Sequence, residues 1–383
     1  MKILHVCLAA FYIDNYSYQE NILPRMHKKL GHDVQILAST ETYVSGKKLG
    51  YVEPSEYVNE DGILVTRIPY KKSIPIKIAK KLRLYEDFTD YLEAYNPDII
   101  FLHDIQFLSI TKITNYAKTH NVRILADGHT DFVNSARNLG GKLLHKYIYK
   151  PYIKKAEPYI EHFFGTLPIR VKFMKEIYDI PNEKLSFLPM GADDDLVQRY
   201  ISPQNISDLY NKYSLSTDDF IIVTGGKINE TKTETLLLME AVNEIDNPNL
   251  KLIIFGTIAD SLKEKFESLC SDKITYAGWA TVEESYQYFS VANLIVFPGT
   301  HSVYWEQAAG LGKPLMVKYW EGITHVELGG NAIFLRDDSK DEIKNNIETL
   351  INNTEAYYNM KKCAENLGMK TFSYIEIAKR CIK

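Results

Sequence analysis

Cysteines and long apolar segments are scarce in this sequence, and both absences exclude classes of protein. The 383 residues include only 4 cysteines, at Cys7, Cys270, Cys363 and Cys381. No two of them have the short spacing of a zinc or thioredoxin-type site, which argues against a disulfide scaffold or a cysteine metal site. No apolar run approaches the ~20 residues of a membrane-spanning helix. We therefore expect a cytoplasmic protein that is soluble or bound peripherally to a membrane.

A large excess of charge of one sign is also missing. The chain has 45 basic and 49 acidic side chains, a net charge of −4. Proteins that bind nucleic acid usually carry a clear basic excess, so we expect no nucleic-acid partner. The hydrophobic content of 45% is that of an ordinary globular protein. Because domains usually have roughly 100–200 residues, the length predicts two domains.

Two glycine-rich nucleotide motifs are absent as well. No predicted strand is followed by Gly-x-Gly-x-x-Gly, which disfavours a Rossmann dehydrogenase. The spacing Gly-x4-Gly-Lys-Ser/Thr is also missing, which excludes a P-loop.

Short apolar runs alternate with longer amphipathic stretches along the whole chain, which is typical of βαβ units with parallel sheets. The strands predicted in the first half are 2–8, 33–37, 63–68, 99–102, 123–126, 162–164 and 184–188. Those predicted in the second half are 220–224, 252–255, 274–276, 294–297, 315–317 and 332–335. Residues 190–205 have linker composition, and we expect their acidic run 193–195 to form a solvated turn. The predicted fold class is α/β, with Rossmann-like domains at 1–200 and 201–370.

Two lysines follow a glycine pair at the end of a predicted strand. Lys227 comes directly after Gly225-Gly226, and Lys232 lies five residues further on. Thr231 and Glu234 have capping-box spacing, which predicts that Lys232 lies in the first turn of a helix. Free N–H groups at a helix N-terminus favour an anion. Together these features predict a diphosphate site, although two solvated surface lysines would give the same pattern.

A second strand, loop and helix pattern spans residues 292–317. Ser302 is predicted to cap a short helix whose first turn holds Glu306. A carboxylate there can accept two hydrogen bonds from ribose hydroxyls without a metal. The alternative is an acid that only offsets the helix dipole.

Together these motifs carry a resemblance to a known family. Gly226-Lys227-x4-Lys232, Gly278-Trp279 and Pro298…Glu306-Gln-Ala-Ala-Gly resemble the nucleotide-sugar domain of glycosyltransferase family 4, whose members are retaining enzymes of the GT-B fold. Residues 18–21 and 320–325 resemble a subset found in bacterial surface-polysaccharide synthesis.

The resemblance implies a fold and a set of site residues. Two Rossmann-like domains would face each other across a cleft, and a C-terminal helix at 371–383 would return to the first. Lys227 and Lys232 would hold the donor diphosphate, Gly278 and Trp279 would meet the base, and Glu306 would bind the ribose. His301 and Ser302, in a loop shorter than the family's, are further candidate donor contacts. His129, just after a predicted strand, would lie near the reacting sugar.

The implied activity is transfer of a sugar from a nucleotide diphosphate, most simply UDP, to a glycan or a lipid-linked glycan. We expect no metal and no cofactor. His103-Asp104 with Asp127 and His129 has the composition of a metal site, but no helical His/Glu pair supports one. Pro298 stands where the family usually has another glutamate, which leaves open a non-catalytic partner subunit. A sugar-nucleotide epimerase of similar architecture is a further alternative.

Two basic stretches of the first domain indicate a membrane surface. Lysines recur every four residues at 142, 146, 150 and 154, beside leucine and tyrosine, and residues 75–84 are basic without any acid. Such segments suit an anionic membrane or a diphosphate-lipid acceptor. The alternative is a solvated face of an ordinary helix. Pro151 is expected to kink or divide the first segment.

Overall fold

The computed structural model describes residues 1–44 and 48–383, and the chain divides into two compact units. The first unit comprises Met1–Pro189 and Ile377–Lys383, and the second comprises Met190–Glu376. The division at Pro189 lies before the boundary that the sequence predicted near residue 200.

The first unit is built on an eight-stranded sheet in the order β10-β9-β8-β7-β1-β2-β6-β5. Its strands are β1 Lys2–Cys7, β2 Asp33–Ser39, β5 Ser55–Val58, β6 Leu64–Ile68, β7 Ile99–Leu102, β8 Arg123–Gly128, β9 His162–Gly165 and β10 Leu185–Phe187. Its helices are α1 Gln19–Lys29, α2 Ile76–Leu82, α3 Thr89–Tyr95, α4 Ile110–His120, α5 Leu139–Leu143, α6 Lys150–Ala156 and α7 Pro168–Tyr178. All seven predicted strands are present and pair in parallel, and the antiparallel edge strand β5 was not predicted. A separate two-stranded sheet pairs β3 Glu41–Val44 with β4 Lys48–Tyr51 in antiparallel fashion.

The second unit has a six-stranded, wholly parallel sheet in the order β13-β12-β11-β14-β15-β16. Its strands are β11 Phe220–Ile228, β12 Leu250–Ile258, β13 Ile274–Gly278, β14 Leu294–Phe297, β15 Leu315–Lys318 and β16 Ala332–Leu335. Its helices are α8 Asp194–Tyr200, α9 Pro203–Lys212, α10 Glu234–Glu244, α11 Lys263–Ser268, α12 Val282–Val291, α13 Tyr304–Gly310, α14 Lys340–Asn352, α15 Thr354–Cys363 and α16 Met369–Thr371. Counted within the unit, the order is 3-2-1-4-5-6, which is the Rossmann order.

Each sheet separates two apolar clusters because alternate side chains of a strand point to opposite faces. On β11, Ile221 and Val223 pack into one cluster and Ile222 into the other. On β1, Leu4 and Val6 face one cluster and Cys7 faces the other. The continuous apolar runs of the sequence therefore mark strands that are covered on both faces.

The predicted solvated turn at 193–195 is wrong. Asp193 is 4% exposed and caps α8 by accepting a hydrogen bond from the N–H of Asp195. Asp194 accepts hydrogen bonds from the Ser373 hydroxyl at 2.5 Å and from the Ile375 N–H at 2.9 Å. The acidic run therefore starts a helix and fixes the beginning of the last helix.

The last helix, α17, spans Tyr374–Cys381, and its residues from Ile377 onward belong to the first unit. Ile377, Ala378 and Cys381 are almost completely buried. The predicted return of the C-terminal helix to the first domain is thus confirmed.

The basic segment at 139–156 is helical but changes its hydrogen-bonding pattern midway. A π-helical turn at Leu144–Tyr149 separates α5 from α6, and Pro151 lies in the first turn of α6. A proline has no N–H to donate, and a helix tolerates it in the first turn, where no N–H has a helical partner. The π-helical turn accordingly ends directly before α6 begins. None of the helices in the described ranges is both long and apolar enough to cross a membrane.

Candidate active site

The switch point of the second sheet lies between β11 and β14, where the strand order reverses. Ligands of open α/β sheets bind beyond the carboxyl ends of the strands at such a point. The residues that follow β11 and β14 here are those around Lys227 and those from Pro298 to Glu306. The topology thus brings the two sequence motifs to one edge of one sheet.

The glycine pair at the end of β11 is explained by packing against β12. A Cβ on Gly225 would lie 2.2 Å from the ring of Phe255. A Cβ on Gly256, which pairs with Gly226, would lie 1.8 Å from the carbonyl oxygen of Gly226. Gly226 itself has φ of +127° and open space where a Cβ would be. The glycines therefore let the two strands stay paired up to the exposed Lys227.

The predicted positions of the two lysines need correction. Lys227 lies within β11, one residue before its end, and not beyond the strand. Lys232 precedes α10, which begins at Glu234 without a side-chain cap, so the predicted capping box is wrong. Asn229 is the reason: its side-chain oxygen accepts the N–H of Thr231 at 3.1 Å, and its carbonyl accepts the N–H of Lys232 at 2.8 Å. These bonds form a tight turn before the helix starts.

The same turn places Lys227 and Lys232 on its two arms, since Asn229 and Lys232 form an antiparallel bridge. Neither lysine makes an ion pair with any residue that the structure describes. Two cationic groups without a carboxylate partner thus stand at the carboxyl end of β11.

Glu234 is a candidate site residue that the sequence reasoning did not select. Its Oε1 lies 3.6 Å from Lys318 Nζ, at the end of β15. Its Oε2 is buried without a hydrogen-bond partner in the described chain, and lies 3.1 Å from where a Cβ of Gly299 would be. Its position in the first turn of α10 was the available signal.

Glu306 is fully buried and binds two histidines. His301 Nε2 and His325 Nε2 each lie 2.9 Å from Glu306 Oε1, whereas Oε2 has no hydrogen-bond partner among the described residues. Burial alone would raise the pKa of Glu306, but the two imidazoles outweigh it and lower the pKa well below its usual range. Glu306 is thus an ionised carboxylate with one oxygen still able to accept.

The loop before this helix also differs from expectation. α13 begins at Tyr304 with no side-chain cap, and the carbonyl of Ser302 accepts the N–H of Trp305 at 3.0 Å. The predicted Ser302 cap is therefore wrong, because the cap position belongs to Val303. His325, which lies between β15 and β16, was missed as a partner of Glu306.

His301, Glu306 and His325 form the one group of described His, Cys, Asp and Glu residues whose ligand atoms converge, all lying within 4.8 Å of one another. Two imidazoles and a carboxylate are ligands that a divalent cation such as zinc accepts. Both histidines already share one oxygen of Glu306 through hydrogen bonds, and only Oε2 has no partner within the described ranges. These three are the residues that would hold a metal if one bound here.

The predicted base-binding residues follow β13. Gly278 has φ of +79° with open space around a hypothetical Cβ, and Trp279 is 59% exposed. An exposed indole beside unhindered backbone is suited to stacking against a planar base.

In the first unit, the side chain of Asp127, near the end of β8, has polar contacts with four residues. Its Oδ2 accepts from Gln19 Nε2 at 2.9 Å and from His103 Nδ1 at 3.1 Å, and its Oδ1 accepts the N–H of Asp104 at 2.9 Å. His129 Nε2 lies 3.4 Å from the same Oδ1. Burial would raise the pKa of Asp127, but His129 and His103 hold it well below its usual range.

His129 follows β8, and its side chain keeps 22% of its surface exposed. Its carbonyl accepts a hydrogen bond from the side chain of Asn134 at 2.7 Å, which fixes the loop. Desolvation alone would lower the pKa of His129, but Asp127 outweighs it and raises the pKa to about 9. An imidazolium that is partly exposed at a strand end can donate hydrogen bonds to an anionic ligand.

Comparison with solved structures identifies the architecture. A glycosyltransferase of Rickettsia africae matches with a TM-score of 0.70 at 15% identity, over 100% of this chain and 96% of that one. Anabaena HepE in complex with UDP matches with a TM-score of 0.66 at 13% identity, over 99% and 98% of the two chains. The fold is GT-B. The UDP-GlcNAc 2-epimerase of Neisseria meningitidis bound to UDP-GlcNAc also shares it, with a TM-score of 0.62 at 12% identity over 100% and 98% of the chains.

No protein-family model matches the chain, and no curated protein matches its sequence. Identities of this size establish the fold alone, so the activity has to be argued from the site.

Proposed function

We propose that this protein is a retaining glycosyltransferase that moves a sugar from a UDP-sugar to a hydroxyl of a lipid-linked or growing glycan in bacterial surface-polysaccharide synthesis. The observation that carries the proposal is the pair Lys227 and Lys232, which have no anionic partner in the described structure and lie at the switch point of a Rossmann-order sheet. The UDP complex of HepE, which shares the fold, supports this choice of donor.

The main catalytic demand of such a reaction is the charge that builds on the β-phosphate as the glycosidic bond breaks. Lys227 and Lys232 meet it by electrostatic stabilisation, which is worth most where the cations are already in place. Attack occurs on the face from which the phosphate departs, and the departing phosphate takes the proton of the acceptor hydroxyl. We therefore assign no enzymic nucleophile. His129 donates a hydrogen bond to the donor sugar or its phosphate.

Recognition of the nucleoside falls to residues of the second unit. Gly278 and Trp279 contact the base, and Oε2 of Glu306 accepts from the ribose, with His301 and Ser302 beside it. No step requires a metal. Titration with UDP in the presence of EDTA tests whether binding needs a metal, and unchanged affinity is expected. A loss that zinc restores would instead assign His301, Glu306 and His325 to a metal.

A second candidate is a UDP-sugar epimerase, which the shared fold of the Neisseria enzyme favours. An epimerase converts the donor without an acceptor, so isomerised UDP-sugar in acceptor-free reactions would identify it. The third, a non-catalytic partner subunit, is motivated by Pro298 and predicts UDP binding without turnover over a panel of donors and acceptors.

The acceptor is proposed to reach the first unit from an anionic membrane surface at the cytoplasmic face. Leu139, Leu143 and Tyr147 are 73%, 46% and 62% exposed, on the segment that carries Lys142 and Lys146. Exposed apolar side chains beside lysines suit the interface of an anionic bilayer.

The second basic segment lies against the first. The hydroxyl of Tyr149 donates to the carbonyl of Lys81 at 3.0 Å, and Ile76 and Ile78 on α2 are 50% and 48% exposed. Lys150 and Lys154 are ion-paired with carboxylates, so Lys142 and Lys146 carry the membrane proposal.

A further inference from the structure

A row of buried histidines leads away from Asp127 across one face of the first sheet. In the strand register His5 on β1 pairs with Phe101 on β7, and Phe101 pairs with Leu125 on β8. His103 and Asp127 lie two residues beyond these partners, so they share the face of His5. His27 reaches the same row from α1.

Four short contacts join the row end to end. His103 Nδ1 lies 3.1 Å from Asp127 Oδ2, and His103 Nε2 lies 2.9 Å from His5 Nδ1. His5 Nε2 lies 2.9 Å from His27 Nδ1, and His27 Nε2 lies 3.1 Å from the carbonyl oxygen of Ala378 on α17. The three histidines and Asp127 are all 0% exposed.

The number of protons in this row follows from its two ends. A backbone carbonyl and an ionised carboxylate can only accept hydrogen bonds. Four hydrogen bonds between them need four N–H groups, whereas three neutral imidazoles supply three. One histidine of the row must therefore carry an extra proton, and with it a positive charge.

We propose that His103, His5 and His27 hold one shared proton and act as positioning residues that keep Asp127 ionised beside His129. The proton count stands without the proposed function, whereas the consequence for turnover rests on it. The row also connects the C-terminal helix to the candidate catalytic histidine, since the carbonyl of Ala378 is its far end.

Coulomb attraction favours His103, the histidine that contacts the Asp127 carboxylate, as the site of the extra proton. Burial lowers the pKa of His5 well below its usual value and that of His27 to about 3, whereas His103 touches the carboxylate. The other titratable or charged groups facing the row and its end are Cys7, Glu20, His32, Arg67, Asp104, Arg170 and Cys381. Glu20 and Asp104 add negative charge near His129, whereas Arg170 adds positive charge there.

Nitrogen NMR of the full chain labelled with ¹⁵N-histidine tests the proton count directly. In the unmodified protein at neutral pH we expect one imidazole of the row with both nitrogens protonated and two neutral imidazoles protonated at Nε2. Three neutral imidazoles would overturn the proposal. The NMR measurement requires neither enzymatic activity nor a variant of the protein.

Two substitutions of His27 separate the proton count from packing. His27→Gln keeps an acceptor for His5 and a donor for Ala378, so the extra proton stays. His27→Phe removes both the acceptor and the donor. Only the contacts Asp127–His103 and His103–His5 then remain, and the two neutral imidazoles supply the two N–H groups that these contacts need. The doubly protonated imidazole should therefore disappear. His145→Gln, at another buried histidine of the same unit, is the control and leaves the row unchanged.

If the protein transfers sugar, the pH dependence of turnover provides a second test. Loss of the second cation beside Asp127 raises the pKa of His129, so the alkaline limit of turnover moves upward by roughly 1 pH unit in His27→Phe. His27→Gln and the control keep the limit of the unmodified protein. Equal limits in His27→Phe and the unmodified protein would contradict the positioning role, even where the NMR confirms the proton count.

Discussion

Replacement of Lys227 or Lys232 by alanine separates a catalytic role from a structural one. Lys227 is exposed, and neither lysine makes an ion pair within the described residues. Each substitution should therefore change the free energy of unfolding by no more than about 0.5 kcal/mol. If the ammonium groups stabilise the leaving diphosphate, turnover should fall by about 10²–10³, which corresponds to about 3–4 kcal/mol of transition-state stabilisation.

The assay pairs UDP release at saturating donor with thermal unfolding of the same preparations. Lys251→Ala is the matched control, because Lys251 lies on β12 beside β11 but at the opposite end of the strand. We expect unmodified turnover in the control and large losses in Lys227→Ala and Lys232→Ala at an unchanged melting temperature. Turnover near the unmodified rate in both variants would refute the diphosphate assignment.

Three further predictions address the other parts of the site. Glu306→Gln should weaken UDP binding by about 1.5–3 kcal/mol, measured by calorimetry. Glu284→Gln, which alters only the cap of α12, is the control. Unchanged affinity in Glu306→Gln would mean that Glu306 has only a structural role. His129→Ala should lower turnover far more than UDP affinity, and equal losses of turnover and affinity would indicate a folding role. Turnover of the unmodified protein should fall as the pH rises through about 9, where the His129 imidazolium loses its proton. Lys142→Glu with Lys146→Glu should abolish sedimentation with anionic liposomes at low salt, whereas binding insensitive to salt and anionic lipid would refute the membrane contact.

Strands and fold class could be predicted because burial on both faces of a parallel sheet leaves continuous apolar runs. All the predicted strands are present, but β11 and β12 extend to Ile228 and Ile258, beyond the predicted ends at 224 and 255. Strands β3, β4 and β5 were missed, since most of their side chains are exposed and give no apolar run. The start of α10 was misplaced because the capping-box spacing of Thr231 and Glu234 competes with the turn that Asn229 makes.

The pairings within the site depended on tertiary structure. Glu306 and His325 are 19 residues apart without any helical or strand period between them, and loops around β15 bring them together. The histidine row required the register of β8, β7 and β1, which no local pattern encodes. The roles of Lys227, Lys232, Gly226, Gly278, Trp279, His301, Ser302, Glu306 and His129 stay predictions.

Release of UDP from a panel of UDP-sugars, measured with and without a lipid-linked glycan acceptor, tests the central claim most directly. The account predicts release that depends on the acceptor, yields a glycosylated acceptor with the donor's anomeric configuration, and continues in EDTA. Isomerised UDP-sugar without an acceptor, or UDP binding without any release across the panel, would contradict it.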